Sequence, residues 1–230
     1  MKILFSPSEG KAYSRQKDML SPHIASLHQQ YLHFVRSASV EELQKLWGIK
    51  KIDEFEKIRE SSLQAHTMRA IECYSGVAYE ALDFASLDKR EQDFVLESVL
   101  IFSNLFGVVR AGEILPFYKL KQGEGFEGVS TKAIYQKSQD QIDLLCGDDL
   151  IVDLRAEFYQ KLYVPKAHYV TFEFLKDGKK ISHYAKYYRG LVLREIAKHQ
   201  SVDEIWKYLS DLTFLGFQDK KNCTKLVFSL

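Results

Sequence analysis

Ala167-His-Tyr-Val-Thr-Phe-Glu-Phe-Leu175, followed by Lys176, Asp177-Gly178 and Lys179-Lys180-Ile181, is the stretch on which the fold is decided. Its first part is β-branched and aromatic, which suits a pleated, half-buried strand. Asp-Gly between two such runs is the pattern of a two-residue hairpin turn. Working outward, Ile3-Leu4-Phe5, the run after Asp148-Asp149 (Leu150-Ile151-Val152) and Lys225-Leu-Val-Phe228 read as further strands. Helical patterns cover about 23–36, 40–47, 52–75, 88–104, 184–199 and 202–210. In the fourth, Val95, Val99, Phe102 and Phe106 recur at i, i+4, i+7 and i+11, as on the buried face of a helix. The class is mixed α and β. Prolines 7, 22, 116 and 165 are scattered, and no repeat or low-complexity linker divides the chain, so one domain over 1–230 is expected.

The 230 residues carry 32 Lys and Arg against 31 Asp and Glu, a formal net charge of +1, with 46% hydrophobic residues and a mean hydropathy of -0.25. Bulk charge therefore gives no reason to expect a nucleic acid or a membrane as partner, and any such surface must come from local segregation. Cys73, Cys146 and Cys223 form no Cys-x-x-Cys pair, which points to a reducing compartment and no thiolate metal site. The N-terminal Met1-Lys2-Ile3-Leu4-Phe5-Ser6-Pro7 is too short for a signal-peptide core. The apolar run from Val99 to Val109, broken by Ser103, Asn104 and Gly107, is too short to span a bilayer, so a cytoplasmic chain without membrane contact is expected.

Residues 39–60 carry the strongest partner signal. Ser39-x-x-Glu42 is a capping box opening a short helix, Gly48 interrupts it, and Ile52, Phe55 and Ile58 mark a second helix. Two short helices around an apolar-Gly-apolar turn resemble a helix-hairpin-helix element, where glycine lets backbone N–H groups approach a phosphate. Lys45, Lys50 and Lys51 would supply counter-charge. The opposing reading is a plain helical hairpin, since residues 41–60 hold five basic and six acidic side chains. A basic excess lies at 163–199, with eight Lys or Arg, Lys179 and Lys180 among them, against three acids, and with tyrosines interleaved. Lys186 and Arg189 share one helical face beside Gly190, which would let a backbone or a ligand come close. With Ser6, Ser8, Lys11 and Asp153 they could compose an anion pocket, or serve only structural ion pairs.

Gly123-Glu-Gly-Phe-Glu-Gly128 satisfies G-x-G-x-x-G, but no long apolar helix follows and Glu124 and Glu127 would oppose a pyrophosphate, so a flexible loop without a dinucleotide cofactor is expected. No cofactor of any kind is indicated. No Glu-x-x-His occurs, and His23, His28 and His33, spaced by five, point in different directions on a helix, so no metal site is expected. Cys73 on an apolar segment reads as an inert thiol.

Six blocks, in order, carry a family resemblance: Ser6-Pro-Ser-Glu-Gly-Lys11, Tyr74-Ser-Gly-Val-Ala-Tyr-Glu-Ala-Leu82, Phe102-Ser-Asn-Leu-Phe-Gly-Val-Val-Arg110, Leu115-Pro-Phe-Tyr-Lys-Leu120, Val152-Asp-Leu-Arg-Ala-Glu-Phe-Tyr159 and His183-Tyr-Ala-Lys-Tyr-Tyr-Arg-Gly190. Together they resemble the YaaA family of bacterial peroxide-stress proteins. The resemblance implies a family-specific α+β (mixed α/β) fold in a single domain, a small mixed sheet surrounded by helices with a helix-hairpin-helix-like element. It implies a cytoplasmic protein that binds duplex DNA and limits iron-dependent oxidative damage; a monomer is the favoured expectation, and whether the duplex is structured or damaged is left open. It also adds Arg110, Lys119 and Arg155 to the candidate anion pocket. Lys119 stands where the family usually has arginine and Ala156 where it has serine, and the tryptophan often found near 135 is absent. An enzyme acting on a phosphorylated or nucleotide ligand in the Ser/Lys/Asp/Arg pocket is the alternative.

Overall fold

In the computed structural model, which describes residues 1–181 and 183–230, the chain forms in order β1 (Lys2–Phe5), α1 (Pro22–Ser37), α2 (Val40–Trp47), α3 (Ile52–Gln64), β2 (Thr67–Arg69), α4 (Ala70–Cys73), α5 (Val77–Leu82) and α6 (Lys89–Ser98). Then come β3 (Val99–Ser103), β4 (Gly107–Arg110), β5 (Ile114–Pro116), β6 (Gly125–Phe126), β7 (Val129–Ser130), α7 (Thr131–Lys137) and α8 (Gln139–Cys146). The remainder is β8 (Ile151–Asp153), α9 (Glu157–Leu162), β9 (Tyr169–Lys176), β10 (Lys179–Lys180), α10 (His183–His199), β11 (Thr213–Lys220) and β12 (Cys223–Ser229). Contacts gather into two compact units, one of residues 1–6, 76–100 and 140–230, the other of 7–75 and 101–139.

The first unit is built on a mixed sheet. β1, β8, β9 and β12 run parallel side by side, with Lys2 opposite Ile151, Ile151 opposite Tyr169 and Tyr169 opposite Cys223. β11 closes on β12 and β10 on β9, both antiparallel. The turn between β9 and β10 is the expected one: Asp177 (φ 51°) and Gly178 (φ 71°) are both left-handed, as a two-residue hairpin of this twist requires. Helix α10 packs on α5 at close range. A β-carbon added at Gly190 would lie 2.1 Å from the Ala78 carbonyl oxygen, so the neighbour for which this glycine makes room is a backbone, not a ligand.

The second unit carries α1, α2 and α3 with two short antiparallel pairs, β2 with β5 and β6 with β7. Its core includes the buried Tyr31, Trp47, Phe55, Phe106, Tyr118 and Tyr135.

Four expectations are corrected. The helix expected over 52–75 ends at Gln64, where Ala65 turns left-handed (φ 52°) and Thr67–Arg69 leaves to pair with β5. The helix expected over 88–104 stops at Ser98, and Val99–Ser103 is a strand buried at all five positions, so its apolar residues show no alternation and mimic helical spacing. Only a single 3₁₀ turn, Ile205–Tyr208, forms within 202–210. The glycine-rich segment is not a loop throughout: Gly125–Phe126 and Val129–Ser130 make a small hairpin, with Glu127 and Gly128 at positive φ. Strand β11 and helix α8 were not expected at all. Among the described residues no helix is long and apolar enough to cross a membrane.

Candidate functional site

The hairpin at 39–60 is built from local signals. The Ser39 amide donates to Glu42 Oε2 at 2.8 Å and the Glu42 amide to Ser39 Oγ at 3.3 Å, the reciprocal box that opens α2. Gly48 (φ 68°) then ends α2 in the left-handed region. Its own amide and that of Ile49 return to the Gln44 carbonyl and its neighbour. Lys121 donates its amide to the Leu46 carbonyl at 2.9 Å, and its stem covers Gly48, where an added β-carbon would lie 2.6 Å from Lys121 Cδ. The Gly48 and Ile49 amides are therefore spent inside the turn. What faces outward is the opening of α3, whose N-cap Lys51 makes no side-chain cap bond, together with the exposed side chains of Lys45, Lys50 and Lys51.

Trp47 pins this turn to the core. Its indole is fully buried, lies 5.3 Å from the Phe55 ring and donates to Tyr31 Oη at 3.0 Å. The same phenol receives the Lys119 amide at 3.1 Å and donates to the Lys119 carbonyl at 3.2 Å. Tyr31 thus ties the hairpin to the backbone of a second feature, the cleft around Lys11.

In that cleft the chain beside Lys11 bridges the segment at Tyr74, with the Ala12 amide on the Cys73 carbonyl (2.9 Å) and the Ser75 amide on the Gly10 carbonyl (3.1 Å). Gly10 permits it, because a β-carbon there would stand 2.7 Å from Ser75 Oγ. Lys11 Nζ donates to the Ser8 carbonyl at 2.5 Å and lies 4.6 Å from the ring centres of both Tyr74 and Tyr118. Those phenols are 2.8 Å apart, and Tyr118 reaches Ser103 Oγ at 2.9 Å. The opening, about 200 Å³, is lined by Lys11, Lys119, Glu9, Ser75 and Phe117, and by Glu54 and Ile58 of α3. Burial, with the Lys119 ammonium adding to it, lowers the Lys11 pKa to about 8. Burial pushes the Cys73 thiol up to about 11, which leaves it a poor nucleophile at neutral pH.

The anion-pocket candidates divide between the units. Ser8, Lys11 and Lys119 meet in the second, where Arg110 stands exposed at the end of β4 and does not line the cleft. In the first unit, Asp153 at the end of β8 pairs with Arg155, not with Arg189. Arg155 is fully buried and donates to both Asp153 oxygens (2.9 and 2.7 Å) and to the carbonyls of Tyr159 (3.0 Å) and Tyr163 (2.9 Å). Its guanidinium is thereby committed to the protein's own backbone and carboxylate. Ser6 Oγ receives the Ala156 amide at 2.7 Å. Arg189 is half-buried, its pKa lowered by burial against the pull of Asp153, while Lys186 is exposed one turn earlier on α10.

The basic excess at 163–199 is partly consumed. Lys166 pairs with Asp143, Lys180 with Glu173, Arg194 with Asp83 and Lys198 with Glu195, whereas Lys179 is exposed in the β9–β10 hairpin. Sequence reading missed Tyr31, Tyr74, Tyr118 and Lys121 as site residues. Tyr74 and Tyr118 stand within two of the quoted blocks, and that was the available signal.

Over residues 1–222 the chain matches the family described as peroxide stress protein YaaA. A Campylobacter jejuni protein, Cj0984, is 43% identical over 211 residues, covering 87% of this chain and 86% of its own. A UPF0246 protein of Corynebacterium glutamicum is 33% identical over 213 residues (86% and 85% covered), and one of Streptomyces coelicolor is 30% identical over 220 residues (85% and 82%).

Proposed function

Because this chain belongs to the YaaA family of peroxide stress proteins, we propose that its part in the stress response is to hold duplex DNA, as a cytoplasmic monomer, against the turn between α2 and α3. The observation that carries this reading is the set of exposed lysines 45, 50 and 51 around a turn anchored by buried Trp47. Lysines on a fixed turn meet phosphates without first losing the freedom of a mobile loop. The element is helix-hairpin-helix-like in outline, but with the Gly48 and Ile49 amides engaged in capping, phosphate contact falls to the lysine heads and to the opening amides of α3. Glu41, Asp53 and Glu54 nearby keep the attraction modest and sensitive to salt. Lys179 and Lys180 offer a second, weaker patch, since Lys180 already faces Glu173 at 3.7 Å. In this reading protection is exercised on the DNA, where iron-catalysed damage falls.

The test is Lys45→Gln, Lys50→Gln and Lys51→Gln together, assayed by duplex binding across a salt series. Each lost phosphate contact should flatten the plot of log affinity against log salt by about 0.9, so a fall of about 2 to 3 is expected, equal for unrelated sequences. Unchanged affinity and slope would leave the hairpin a structural turn only.

A further inference from the structure

Lys11 combines three properties that a surface lysine lacks. It is half-buried between two tyrosine rings, it stands beside a second ammonium, Lys119, and it lines an open cleft. Desolvation and a neighbouring cation are the two ways in which proteins turn lysine into a nucleophile toward carbonyl carbon. We propose that Lys11 Nζ condenses with the aldehyde carbon of a ligand entering this cleft, and that the ligand is the open-chain sugar of an abasic site in duplex DNA. The choice of ligand rests on the DNA reading above; the amine chemistry does not. It is supported by α3, whose opening turn carries the proposed phosphate contacts and whose Glu54 and Ile58 line the cleft.

The step balances without an oxidant or reductant. The Nζ lone pair forms the C–N bond, and the carbonyl oxygen takes a proton to give a carbinolamine. That hydroxyl then leaves as water and the nitrogen loses its second proton, so amine plus aldehyde gives imine plus water. Glu9 and Glu54, on the rim of the same cleft, are the carboxylates available to carry the protons. With its pKa at about 8, roughly a tenth of Lys11 is free amine at pH 7, against well under a hundredth for an ordinary lysine. The Tyr74 and Tyr118 faces and the Ser8 carbonyl hold the nitrogen in place.

The experiment is borohydride trapping on the full chain. A duplex with one abasic site is compared with the same duplex bearing a tetrahydrofuran analogue that has no aldehyde, and with free glyceraldehyde. Expected is a covalent protein–DNA complex on the abasic duplex alone, mapped to Lys11, and at least tenfold weaker for Lys11→Arg. Independently of how that variant folds, reductive methylation of the unaltered protein should label Lys11 half-maximally near pH 8, whereas exposed lysines respond near their ordinary pKa of about 10.4. Labelling of Lys11 by glyceraldehyde but not by the abasic duplex would overturn the DNA source and leave the amine standing. Failure of both aldehydes, or equal adducts on Lys11→Arg, would overturn the amine itself. The triple hairpin variant separates the two readings, since it should lose trapping on DNA and keep the glyceraldehyde adduct.

Discussion

Replacing Arg155 by leucine tests how the end of β8 is held. The substitution leaves the Asp153 carboxylate, 2% exposed, without its guanidinium and removes one donor from each of the carbonyls of Tyr159 and Tyr163. Breaking a buried pair from one side costs about 3–5 kcal/mol, a large share of the total of about 5–15 kcal/mol typical of a folded protein. At a urea dependence of about 2 kcal/mol per molar, the midpoint should fall by roughly 2 M. Removing both charges, Asp153→Leu with Arg155→Leu, takes away the uncompensated carboxylate. It still removes the guanidinium's bonds to the two carbonyls and the bond that Asp153 accepts from the Arg155 amide at 3.0 Å. The double variant should therefore be at least about 2 kcal/mol less destabilised than the sum of the single changes. Lys161→Gln is the control: its pair with Glu157 at 2.7 Å is solvent-exposed on both sides, so its loss should leave the urea midpoint essentially where it was. The assay is equilibrium urea unfolding followed by tyrosine and tryptophan fluorescence. A loss below about 1 kcal/mol for Arg155→Leu, or strict additivity in the cycle, would refute the reasoning.

Two further outcomes follow from the packing. Gly190→Ala should cost more than about 3 kcal/mol, beyond ordinary overpacking, because the Ala78 carbonyl 2.1 Å away is backbone and cannot swing aside; thermal unfolding within a few degrees of the unaltered protein would contradict this. His28, 4% exposed with Nε2 lacking a hydrogen-bond partner among the described residues, has its pKa lowered to about 4 by burial, with Arg36 adding to the effect. It stays neutral when folded and takes a proton when unfolded below about pH 6.5, so stability should fall, by on the order of 3 kcal/mol, as pH drops from about 6.5 to about 4. His28→Leu should flatten that part of the stability–pH curve, and an unchanged acid limb would count against a buried neutral imidazole.

What the sequence disclosed was what local chemistry fixes. The strand at 169–176, the Asp177-Gly178 turn and the Ser39–Glu42 box each close within a few residues, so their signals sit side by side in the chain. Strand β3 failed for the opposite reason: buried on both faces, it lacks the alternation that would have separated it from a helix, and only its pairing decides. Strand β11 escaped notice because much of it is exposed, its apolar Leu215 and Phe217 included.

The candidate site shows the same limit at longer range. Counting charges over 163–199 found a real excess but could not tell which were already neutralised. Lys166, in the loop before β9, finds Asp143 of α8, and Arg194 finds Asp83 more than a hundred residues away. The anion-pocket candidates fall in both compact units, Ser6, Asp153, Lys186 and Arg189 in one and Ser8, Lys11 and Lys119 in the other. The chain leaves one compact unit after Ser6 and re-enters it at Gly76, so residues two apart in sequence, Ser6 and Ser8, fall in different units with no linker to announce it. Lys11 was among the candidates for its charge, yet its chemistry comes from rings at 74 and 118 and an ammonium at 119. A lysine's charge can be read from one position; its nucleophilicity depends on what surrounds that charge, and here those neighbours are supplied by segments some 60 to more than 100 positions further along the chain.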